Sequence, residues 1–86
     1  MSKPILQFPC TFPIKVMGLN TPEFADLISA IVVKHVPGTP PEAFSARLSR
    51  EDRYIAFTVQ IQAQSRQQLD ALYLELNAHP LVKMTL

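Results

Sequence analysis

Tyr54-Ile55-Ala56-Phe57-Thr58-Val59-Gln60-Ile61-Gln62-Ala63-Gln64 decides the fold. Apolar and polar residues alternate along it, the period of a strand with one face on a core and the other uncovered. The glutamines set the phase. Ile55, Phe57, Val59, Ile61 and Ala63 are predicted to point inward, and Tyr54, Ala56, Thr58, Gln60 and Gln62 outward. A slip of one residue would bury Gln60 and Gln62, so the phase is strongly specified. It also excludes an RNA-recognition reading of Arg53-Tyr54-Ile55-Ala56-Phe57, which needs Ile55 and Phe57 as outward platforms for bases. Tyr54 alone is a poor stacking surface.

On the N-terminal side, Arg50-Glu51-Asp52-Arg53 is a charged turn of hairpin length, and Phe44 to Ser49 alternates as the partner strand. Pro37-Gly38-Thr39-Pro40-Pro41 reads as a stiff spacer. Before it, a helix is expected from Pro22 to about His35, with Thr21 as its cap and Pro22 at the first helical position. Phe24, Leu27, Ile28, Ile31 and His35 share one arc of that helix, which places His35 at a buried helix end where it satisfies terminal carbonyls. Phe12-Pro13-Ile14-Lys15-Val16-Met17-Gly18 is a further strand, after an irregular entry segment over residues 1–10. On the C-terminal side, Ser65 and Gln68 form a capping box, and Leu69, Leu72, Tyr73 and Leu76 repeat at helical spacing to about Ala78. Val82, Met84 and Leu86 then alternate with Lys83 and Thr85 in a last strand.

The order is β-α-β-β-α-β. Each strand has one apolar face and each helix one apolar stripe, so both helices must cover the same side of one sheet. The expected architecture is an α+β, ferredoxin-like domain over residues 1–86. It has a four-stranded antiparallel sheet, the first and third strands central, and two helices on one face. The other face is left open, and Lys15, Met17, Ser45, Arg47, Tyr54, Ala56, Thr58, Gln60, Gln62, Lys83 and Thr85 are placed on it. Its charges are all basic, whereas Glu23, Asp26, Asp70 and Glu75 fall on the helices and Glu51 and Asp52 in the hairpin turn. Val33 and Leu74 are the apolar residues expected on the outside of the helices.

Composition narrows the function without assigning it. Among 86 residues, 48% are apolar and 17% charged, and the net charge is +1. The last value excludes the strongly basic balance of a general nucleic-acid binder, and the first excludes a disordered chain. Weak charging favours association. Cys10 is the single cysteine and is expected to pack as a small hydrophobe, and His35 and His79 lack metal-ligand spacing. Pro4, Pro9 and Pro13 interrupt the uncharged stretch within the first 14 residues and no small-residue cleavage pattern follows it, so no signal peptide is expected, and no apolar run has membrane-spanning length. A cytoplasmic address is the default expectation. No residues combine as nucleophile, base and orienter, so no catalytic residue, cofactor or metal is expected.

Phe8-Pro9-Cys10 and Phe12-Pro13-Ile14-Lys15-Val16-Met17-Gly18 resemble the YbeD-like family of small bacterial proteins, as do His35-Val36-Pro37-Gly38, Tyr73-Leu74-Glu75-Leu76 and Val82-Lys83-Met84-Thr85-Leu86. The resemblance implies a ferredoxin-like fold related to ACT regulatory domains, with no assigned biochemical activity. In ACT domains the turn after the first strand takes a small molecule. Here that comparison singles out Gly18 and Asn20, with Glu23 standing where a glycine would let a ligand approach.

Two functions follow as expectations. One is a non-enzymatic regulatory or adaptor module whose partner is a second copy of the chain, as a homodimer, or another protein. The other is a sensor of a small anionic ligand. Lys15, Arg47, Tyr54, Gln60 and Lys83 are the candidate partner or ligand face for both, and Gly18 and Asn20 the candidate ligand turn for the second. Neither a nucleic acid nor a membrane is an expected partner.

Overall fold

β1 (Cys10–Leu19), α1 (Pro22–His35), β2 (Phe44–Leu48), β3 (Tyr54–Ala63), α2 (Arg66–Ala78) and β4 (Val82–Thr85) follow one another in the expected order. A single 3-10 turn, Pro41–Ala43, precedes β2. The structure is a computed structural model and describes residues 7–86, so most of the expected irregular entry lies outside the described residues. Its last residue, Cys10, is already the first of β1 and packs against the core.

The helices begin as their caps dictate. The Thr21 hydroxyl accepts the Phe24 amide at 3.2 Å, and Pro22 occupies the first position, where a missing N–H costs nothing. At the start of α2, Ser65 Oγ accepts the Gln68 amide at 3.0 Å. The Gln68 side chain completes a variant of the capping box by accepting from the Gln64 amide, one residue before the cap. Its Nε2 donates to the His35 carbonyl at 2.9 Å and so ties the end of α1 to the start of α2.

All strand pairs are antiparallel and the sheet order is β2-β3-β1-β4. Ile14 and Val16 of β1, Val59, Ile61 and Ala63 of β3, Phe24, Ile28, Ile31 and Val32 of α1, and Leu69, Leu72 and Leu76 of α2 form one buried core. Burying a side chain of this size contributes about 1.5 to 3 kcal/mol. Gln60 and Gln62 are exposed while Val59 and Ile61 are buried, so the phase of β3 is as expected. Val33 and Leu74 are exposed on the helices, also as expected.

β4 departs from its simple alternation. Gly18 pairs with Val82 but Met17 pairs with Met84, which leaves Lys83 as the extra, unpaired residue of a β-bulge. The bulge reverses the phase beyond Val82. Met84 stands beside Met17 on the open face, and Thr85, expected there, turns to the helices and donates to Asn77 Oδ1 of α2 at 3.0 Å. Leu86 exchanges backbone hydrogen bonds with Lys15, and its carbonyl accepts from the Tyr73 hydroxyl at 3.0 Å. Lys83 is exposed but does not sit opposite Lys15.

Candidate functional site

The helices cover the inward face of the sheet, and the register lays out the other face in rows. Leu19 lies opposite Tyr54, Met17 opposite Ala56, Lys15 opposite Thr58, Pro13 opposite Gln60 and Thr11 opposite Gln62. Beyond β3, Arg47 continues the Met17–Ala56 row and Ser45 the Lys15–Thr58 row. Beyond β1, Met84 and Leu86 continue the same two rows. Lys15 and Arg47 therefore stand in neighbouring rows, one strand apart, with Ala56 and Thr58 of β3 between them.

Ala56 has the smallest side chain in these two rows, and it leaves a depression of about 530 Å³ lined by Lys15, Ser45, Arg47 and Thr58. A second depression of about 140 Å³ lies toward β4 among Lys15, Met17, Ala56, Met84 and Leu86. The face thus divides. Its β2 side is polar and basic. Its β4 side is apolar, with Met84 51% and Leu86 71% exposed, and Leu19 and Tyr54 extend it toward the hairpin. All seven acidic residues lie elsewhere: on α1, in the 3-10 turn, in the hairpin turn or on α2. Among the described residues, neither Lys15 nor Arg47 enters an ion pair.

Of the expected face residues, Lys15, Arg47, Tyr54 and Gln60 are therefore together on the open sheet, and Lys83 is displaced into the bulge at its rim. Sequence reasoning missed Met84 and Leu86. The alternation of β4 pointed them inward, and nothing in the local sequence marks the bulge. Leu19 was legible from its even spacing with Lys15 and Met17 but lies beyond the expected end of the strand.

The candidate ligand turn takes a different form. Gly18 is a buried residue of β1, and a Cβ there would lie 2.5 Å from the Phe24 ring and 2.6 Å from the Leu81 carbonyl oxygen. The space that a ligand would need is filled by Phe24. Asn20 is occupied as well: its Nδ2 donates to the Asp52 carbonyl at 3.0 Å, and its amide to that of Arg53 at 2.9 Å. These bonds dock the hairpin turn, where Asp52 adopts a φ of 57°, onto the start of α1.

A polar cluster joins the helices. His35 Nε2 lies 2.7 Å and Lys34 Nζ 3.1 Å from Glu75 Oε1. Hydrogen bonds from His35, then Lys34, hold the Glu75 carboxyl below its usual range. His35 was expected to serve the carbonyls of its own helix; instead its ring reaches α2. Burial pushes the Tyr73 phenol up. Among the described residues, no group of three or more His, Cys, Asp or Glu side chains could hold a metal. No helix is long and apolar enough to cross a membrane.

Residues 3–86 match the family model described as a protein of unknown function, DUF493. The chain is 42% identical to the UPF0250 protein of Leptothrix cholodnii over 82 residues, 95% of this chain and 90% of that one. It is 44% identical to the UPF0250 protein of Chromobacterium violaceum, again over 95% of this chain and 92% of the relative. Its fold is similar to the solution structure of protein HP0495 from H. pylori, with a TM-score of 0.74 and 16% identity, covering 98% of this chain and 88% of that one.

Proposed function

The chain belongs to the DUF493 family of bacterial proteins, whose function is unassigned, and from that premise we propose that it is a non-enzymatic regulatory or adaptor module that binds proteins through its open sheet face. One observation carries the reading. Exposed Met84, Leu86, Leu19 and Tyr54 form an apolar area continuous with Lys15 and Arg47, neither of which enters an ion pair among the described residues, on a face that holds no Asp or Glu side chain. A contiguous exposed apolar patch rimmed by polar residues is the kind of surface that marks an interaction site. The uncovered face and the weak charging of the chain also suit a second copy as one such partner.

Capture of partners from a native bacterial lysate tests the reading when three chains are compared. A Met17→Ser, Met84→Ser variant should lose the captured protein, and a Val33→Ser, Leu74→Ser variant of the helical side should retain it. Loss in the second variant alone would place the interface on the helices. Sensing of an anionic metabolite in the manner of ACT domains is the second reading, favoured by the two cations at the Ala56 depression. Gly18 and Asn20 argue against the turn as its site. A thermal-shift screen of anionic metabolites separates the two, since a ligand at about 100 times its dissociation constant stabilises by roughly 2.7 kcal/mol.

A further inference from the structure

The two depressions on the open face share Lys15 and Ala56 and so form one groove, running from Met84 and Leu86 across β1 and β3 to Arg47. One end is apolar, Arg47 stands at the other and Lys15 between them, and no Asp or Glu side chain shares the face. Building on the association reading, we propose that this groove is the docking site for an acidic peptide segment of a partner protein, anchored by an apolar side chain at the β4 end and a carboxylate between Lys15 and Arg47. Neighbouring strands lie about 4.8 Å apart, so a carboxylate held over β3, between Lys15 and Arg47, stands roughly 10 Å from β4, which an extended chain covers in about two to four residues. Arg47 offers a planar fork that matches a carboxylate, and Lys15 a second positive charge on the far side of β3.

The openness of the groove selects a peptide over a metabolite. Small-ligand sites enclose most of their ligand and converge a few partly buried polar groups on it. Here Lys15 and Arg47 are both exposed, and the described residues include no buried polar or charged side chain. A nucleic acid would need more cations and more stacking rings than Tyr54 supplies. Ala56 becomes the determinant of specificity, because any larger side chain at this position fills the floor that the two ends share.

Selection of a random-peptide phage library on the immobilised full chain tests the proposal. Selected peptides should carry Asp or Glu within about four residues of Leu, Ile, Met or Phe. Their affinity, read by fluorescence anisotropy, should fall at least roughly tenfold with Ala56→Val and with the Lys15→Gln, Arg47→Gln pair, and should weaken as salt rises. The pair leaves the core untouched, so an unfolded Ala56→Val chain would not spoil the test. Three results would overturn the proposal: a selection with no acidic enrichment, binding indifferent to the charge pair, or a monomer–dimer equilibrium in sedimentation that Ala56→Val abolishes, which would make a second copy the occupant. If lysate capture still depends on Met17 and Met84 when no acidic peptide is selected, the groove assignment fails and the association reading stands.

Discussion

Gly18 is the residue that lets Phe24 of α1 and the backbone at Leu81 pack directly against β1. Its Cα faces the Phe24 ring so closely that Gly18→Ala must displace either the fully buried ring or the backbone at Leu81. Overpacking of this kind costs about 1 to 3 kcal/mol, and urea unfolding should show a loss of that size with the fold retained. Asn20→Ala removes the side-chain bond to the hairpin, and because that bond is exposed its loss should be smaller, about 0.5 kcal/mol. At Glu75 the prediction concerns pH. Its pKa is lower in the folded chain than its ordinary value of 4.5, so its contribution is present above that value and disappears as pH falls through the lower, folded one. The stability difference between the wild type and Glu75→Gln should therefore narrow from about pH 6 to about pH 3, read from urea midpoints. A difference that widens on acidification would assign the interhelical cluster the wrong sign.

At the scale of elements, β4 separates the bulged register from simple alternation. Buried, Met84 would cost about 2 to 5 kcal/mol to replace with a small residue. Exposed beside Met17, it should accept Met84→Gln with a change under about 0.5 kcal/mol in a denaturant midpoint. Amide exchange should be slowest in β1 and β3, which are paired on both sides, and faster in the edge strands β2 and β4. The same contrast explains what could be read in advance. The central strands and both helices were legible because Gln60 and Gln62, Thr21-Pro22 and Ser65 with Gln68 are local signals that agree with the core. The face of β4 was not, because a bulge is a property of pairing, and whether Met84 or Thr85 faces outward depends on which residue of β1 it meets. His35 shows the same limit, since its partner Glu75 lies on another helix.

Over the whole molecule, charge and apolar surface are arranged by face. Acids lie on the helices and the connecting turns, and the uncovered sheet carries Lys15, Arg47, Met17 and Met84 but no Asp or Glu. Binding through that sheet should weaken with salt, because exposed charges are screened over about 8 to 10 Å. It should also weaken in the Lys15→Gln, Arg47→Gln chain while its melting temperature is unchanged, as expected for rim charges that act on association. Met17 and Met84 report on the face directly. In a protein labelled with carbon-13 at the methionine, valine and leucine methyl groups, comparing spectra in buffer and in native bacterial lysate is the most direct measurement of where it associates. The Met17 and Met84 resonances should shift or broaden in lysate while those of Val33 and Leu74 hold, and the opposite pattern would contradict association through the open sheet.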